Sequence, residues 1–119
     1  MTAKTEVTDK FERMPKIEAQ FGVAVEALHA VHLQYDDNAF IKLMFDIVGE
    51  SPISQSLFIA IAAYNEKSQL IGRGELILAA DQFVGLESME FTLECEGIPA
   101  KIRIYPKPIS VSPLTEDFW

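Results

Sequence analysis

From Phe21 onward apolar and polar residues alternate with a period of two, the mark of strands with one buried face rather than of helices. In FGVAVEALHAVHLQY, the odd positions Phe21, Val23, Val25, Ala27, Val31, Leu33 and Tyr35 form one apolar line that only His29 interrupts. That line is too long for one ordinary strand, so a bend near Ala27 to His29, or a strand that switches sheets, is expected. Asp36, Asp37 and Asn38 predict a turn, because short Asx side chains bond their own backbone and tolerate left-handed conformations. Residues 40–48 form the next strand, with Leu43, Phe45 and Ile47 facing one way and Lys42 and Asp46 the other. A break follows at Gly49 to Pro52.

Residues 57–64 are nearly all apolar, as for a strand at the centre of a sheet. Asn65 to Ser68 turns the chain back into residues 70–78, where Gly72 and Gly74 point to a bulge or a close backbone approach. Residues 79–86 are least strand-like; Asp81 is placed to cap a short helical turn, and Phe83 to plug the core. Met89, Phe91, Leu93 and Cys95 then alternate with Glu90, Thr92 and Glu94. Ile98, Ala100, Ile102 and Ile104 alternate with Lys101, Arg103 and Tyr105 after a turn at Glu96-Gly97. These two segments are expected to pair as a hairpin, acids opposite bases. Pro106, Pro108 and Pro113 lack a ladder donor and are expected to end the sheet.

Six to seven short strands and no evident amphipathic helix predict an all-β, two-layer antiparallel sandwich over residues 17–109. Residues 1–16 are expected to be a flexible N-terminal arm, with a short helix in residues 6–13 as an option. Residues 110–119 are expected to be a C-terminal tail.

Charge narrows the function classes. The net charge is −8, and residues 21–98 carry twelve acids against three bases, Lys42, Lys67 and Arg73. An acidic middle repels phosphate backbones, which argues against nucleic-acid binding. The single cysteine, Cys95, permits no intrachain disulfide and favours a reducing compartment. The N-terminal residues lack the apolar core of a signal peptide, and no apolar run approaches bilayer-spanning length. A cytoplasmic protein that does not engage membranes is expected.

The segment SLFIAIAAYNEKSQLIGRGELIL, followed by DQFVGLESMEFTLEC, resembles the back half of small bacterial immunoglobulin-like domains of the FxLYD kind. Shared features are an apolar strand ending in an aromatic and a turn, a returning strand, a linker, and a strand bearing phenylalanine. Tyr64 is followed by Asn65 where the family has aspartate, and the family is commonly exported. The resemblance implies an immunoglobulin-like sandwich acting in binding or assembly, without catalytic residues.

The candidate chemistry is sparse. His29 and His32 lie three apart, which on a strand places them on opposite faces, away from a common nucleophile or metal. His29, on the apolar line, is expected to be partly buried, and His32 solvent-facing or near a strand end. Cys95 alternates with core residues and is expected to be a buried structural thiol. No paired Cys/His spacing suggests zinc. Gly72-Arg73-Gly74 lies in a strand pattern and lacks the lysine and helix of a phosphate loop. Glu90, Glu94 and Glu96 are expected on a solvated face.

No catalytic residue, cofactor or metal ligand is therefore assigned, and the chain is expected not to be an enzyme. The favoured function is a non-catalytic protein-interaction or assembly module. It would pair with a protein partner, or with itself, through an exposed edge strand or through Phe118 and Trp119. The alternative is a small-ligand or calcium-binding module using Asp36, Asp37 and Asn38, with Glu50 or Asp81 as further oxygen donors.

Overall fold

The computed structural model describes residues 3–49 and 52–109. Eight strands form two four-stranded sheets that face each other across one core. The strands are β1 (Ala3–Glu6), β2 (Phe11–Arg13), β3 (Val23–Gln34), β4 (Ala39–Gly49), β5 (Leu57–Tyr64), β6 (Leu70–Leu78), β7 (Leu86–Glu94) and β8 (Lys101–Pro108). A six-residue helix, α1 (Pro15–Gln20), and one 3-10 turn (Thr8–Lys10) complete the elements. The first sheet has the order β1-β3-β4-β7, the second β2-β8-β5-β6. All pairs are antiparallel except β2 with β8, so the second sheet is mixed. No helix of the described residues is long and apolar enough to cross a membrane.

The inward residues follow the period-two pattern. Ile41, Leu43, Phe45 and Ile47 of β4 meet Leu57, Ile59 and Ile61 of β5 and Ile102 and Ile104 of β8 in the core cluster. Burying each such side chain contributes roughly 1.5–3 kcal/mol. β5 runs between β8 and β6, which explains its almost unbroken apolar sequence. The Asp36 to Asn38 turn joins β3 to β4, and Asn65 to Ser68 joins β5 to β6. Phe83 is buried as a plug from the β6–β7 connection.

The single apolar line along β3 breaks at a bulge. Ala27 and Leu28 oppose Phe45 alone, because Glu26 pairs with Asp46 and His29 with Met44. Ala27 adopts φ 55° to accommodate the extra residue. One inserted residue exchanges the two faces of everything after it. Val23 and Val25 point inward before the bulge; Ala30 and His32 are the buried even positions after it.

Within the expected N-terminal arm, residues 3–16 are held in the fold rather than loose. β1 pairs with β3 and β2 with β8, so this segment supplies an outer strand to each sheet. Between them Val7 is fully buried. Its N–H donates to the Ala30 carbonyl at 3.0 Å, and the Ala30 N–H donates to Thr8 Oγ1 at 3.0 Å. The segment thus satisfies the backbone beside the bulge. α1 adds Glu18, a buried carboxylate that accepts from Arg13 at 2.6 Å and from the Val25 N–H at 3.2 Å.

Two further expectations are corrected. The segments on either side of Glu96-Gly97 are not a hairpin: β7 pairs with β4 in one sheet and β8 with β5 in the other. Alternation requires only one wet and one dry face, which a strand of either sheet provides. The strand also continues through Pro106 and Pro108, in register with Ile59 and Leu57. β2 ends opposite Ile104, so the missing proline N–H groups fall on a side of β8 with no neighbouring strand.

Candidate functional site

Each sheet has two outer strands. β1 and β2 are short, with four and three residues, whereas β6 and β7 have nine each. β7 carries Glu87, Glu90 and Glu94, charges that deter further pairing. β6, LIGRGELIL, carries only Arg73 and Glu75.

The direction of the β6 backbone groups follows from its neighbours. Pro106 has no N–H and lies opposite Ile59, so the Ile59–Pro106 pair is a non-hydrogen-bonded one. The even residues of β5 therefore point their backbone groups at β8, as the Tyr64 carbonyl does in accepting from Ala100 at 2.8 Å. The odd residues of β5 point at β6, toward Gly74, Leu76 and Leu78. The backbone groups of Arg73, Glu75 and Ile77 are thus directed away from the sheet, along an edge that no strand of the described residues covers.

Side chains around this edge form a distinct surface. Ile77 is 61% exposed; Val84 in the β6–β7 connection and Leu86 at the start of β7 are exposed too, at 89% and 56%. On the outer face of the second sheet, Ala60 and Ala62 floor a shallow groove of about 270 Å³ bordered by Tyr64, Tyr105, Arg73 and Lys107. Lys107 is paired with Glu75, Arg103 donates to Glu12 at 2.8 Å, and Lys101 lies 3.8 Å from Glu12. Arg103 stacks over Tyr64 at 5.2 Å and Lys107 over Phe58 at 5.9 Å. The hydrogen bond from Arg103 holds the Glu12 carboxyl below the usual glutamate range, aided by the charges of Arg103 and Lys101. Arg73 is exposed and takes part in none of these ion pairs.

The fold gathers these groups from distant sequence. Arg73, from the acidic middle, joins the bases of β8 on one face, a grouping that linear charge counting missed. The alternation of β6 and its two glycines were visible signals of an unusual strand. Both glycines sit where the sheets approach each other: a Cβ at Gly72 would lie 2.6 Å from the Glu94 carbonyl, and one at Gly74 would run into the Phe91 ring.

The two histidines lie on opposite faces, as expected, but His32, expected solvent-facing or near a strand end, is the buried one, and His29, expected partly buried, is the more exposed. His29 is about half exposed, with Nε2 3.4 Å from Glu6. His32 is 2% exposed, and its Nε2 lies 3.0 Å from the Cys95 carbonyl. The bulge at Ala27 and Leu28 causes the exchange. Cys95 is buried, and its S–H donates to the Gly97 carbonyl at 3.2 Å. Burial pushes its thiol pKa up.

Asp36, Asp37 and Asn38 border an open cleft of about 500 Å³ together with Glu94 and Glu96. Among the described residues, no three His, Cys, Asp or Glu side chains are grouped to hold a metal ion. Asp81 is exposed in the β6–β7 connection. Glu50, Phe118 and Trp119 lie outside the described residues. The chain matches no protein-family model, no curated protein and no solved structure.

Proposed function

We propose that this protein is a non-catalytic interaction module that takes up a strand of a protein partner along the outer edge of β6. The observation that carries this reading is the nine-residue edge itself, with the backbone groups of Arg73, Glu75 and Ile77 directed outward and an exposed Ile77 beside them. Strand addition draws affinity from such main-chain groups, and alternate side chains set specificity. The placement of His29 and His32 on opposite faces supports the non-catalytic part of the reading: His29 faces Glu6, and His32 bonds the Cys95 carbonyl while the Cys95 S–H donates to the Gly97 carbonyl.

The accompanying fold reading is immunoglobulin-like. Its support is an interlock: consecutive strands β4 and β5 lie in different sheets, as do β7 and β8, while β4 pairs β7 and β5 pairs β8. That is the B–E and C–F arrangement of such sandwiches, with β3 in the place of A. β6 then stands beside C as C′ does, and β2 takes the position of G, in parallel.

A displayed library of linear peptides, selected on the wild-type chain and counter-selected on Glu75→Pro, tests the edge. Proline there removes one outward N–H and spares the bonds to β5. Enrichment of peptides that bind wild type and not the folded variant is expected. Peptides that bind both equally, or no enrichment, would overturn the reading.

A further inference from the structure

Resting on that edge reading, we infer that the strand taken up by β6 is the β6 of a second copy of this chain, paired antiparallel about a two-fold axis through Gly74. In a two-fold pairing the same edge faces itself, so its sequence must complement its own reversal. The outward-directed backbone groups belong to odd residues, and hydrogen bonding requires odd residues to face odd residues. Three central registers meet that condition. One places Arg73 opposite itself and another places Glu75 opposite itself, each a like-charge pair. The third places Arg73 opposite the second copy's Glu75, twice over by symmetry.

This register agrees with the edge in two further respects. Gly74 falls on the axis, opposite itself, in a non-hydrogen-bonded pair where strands come within about 4.5 Å between Cα atoms and no side chain intervenes. Directly opposed residues share a face, so Arg73 and Glu75 meet on the outer surface, beside Lys107 and Tyr105. Arg73 thereby gains an ion-pair partner. Glu75, already paired with Lys107, has a second carboxylate oxygen to offer. The two second sheets would join into one continuous eight-stranded sheet.

Sedimentation equilibrium from micromolar to millimolar protein tests this with wild type, Arg73→Glu, Glu75→Arg and the double exchange. Wild type is expected to dimerise. Each single exchange turns two attractive pairs into two repulsive ones and should weaken the dimer by about tenfold or more. The double exchange restores opposite charges and should restore the dimer. Thermal melts verify that each variant is folded. Arg73→Glu, which breaks no ion pair among the described residues, carries the test should Glu75→Arg fail to fold. A wild-type dimer indifferent to the single exchanges, or a double exchange no tighter than the singles, overturns the inference. A chain monomeric throughout overturns the second copy as the occupant, and leaves the peptide selection to decide the edge.

Discussion

Ala27 shows how much one residue can redirect. Its left-handed backbone, φ 55°, costs an L-residue about 1 kcal/mol relative to glycine. Ala27→Gly is therefore expected to stabilise the protein by up to about 1 kcal/mol in urea unfolding, and Ala27→Val to destabilise it. The length of the apolar line announced a bend near Ala27 to His29, and the bulge supplies it, but the exchange of faces there escaped the sequence for a physical reason. Ala27 and Leu28 are both apolar, and the outer face after the bulge also carries apolar residues, Val31, Leu33 and Tyr35. Alternation therefore looks continuous although its faces have been exchanged, and the environments of His29 and His32 were transposed with it. Cys95 was legible, because a lone thiol in an alternating apolar series has no reason to be exposed. Buried and held in its protonated form, it should react with thiol reagents at pH 8 only at the rate of unfolding or opening, matching a buried probe in denaturant-dependence experiments.

At the scale of elements, alternation fixed faces but not partners. Of the segments Met89 to Cys95 and Ile98 to Ile104, Leu93, Cys95, Ile102 and Ile104 line the core and Met89 and Phe91 pack against it, whereas Ile98 and Ala100, expected on the same apolar face, are exposed before β8 begins. Nothing in either segment distinguishes a neighbour in the same sheet from one across the core. Acid–base pairs do occur, yet between other strands: Glu12 of β2 directly opposite Arg103 of β8, and Lys42 of β4 diagonal to Glu90 of β7. β1 and β2 were illegible for another reason. Strands of four and three residues at sheet margins are too short to show a period, and Val7 is the only fully buried side chain among residues 3–13. Gly72 was legible as a close approach, and it is testable. A Cβ there meets a backbone carbonyl, which cannot swing away as a side chain can. Gly72→Ala is expected to cost about 1–3 kcal/mol in chemical denaturation. Gly74→Ala meets the Phe91 ring, and pairing it with Phe91→Leu should recover part of its loss.

Across the whole molecule, the second and the last described strands are tied together by Glu12. Arg103 and Lys101 hold its carboxyl below the ordinary range, so its charged form is favoured in the folded state. A depressed folded pKa contributes stability that is complete above the unfolded value, near 4.5, and is lost as the pH falls through the folded one. Thermal melts of wild type and Glu12→Gln should therefore differ at neutral pH and converge as the solution is acidified below the usual glutamate range. A constant difference across that window would show that Glu12 acts through something other than its charge.

The parallel pairing of β2 with β8 also sets an order of events during synthesis. The Arg103–Glu12 bond joins residues 91 positions apart. At roughly 5–20 residues per second, a ribosome needs on the order of 5–20 s to make the stretch between them. During that interval β2 has no partner, and β5 lacks its neighbour on the β8 side. The second sheet can close only when the C-terminal strand emerges, so the nascent chain passes through a stage with two incomplete sheet margins. Slow, late closure of this kind is the folding cost of non-local topology. It makes the nascent chain, rather than the finished sandwich, the form most exposed to unintended strand exchange.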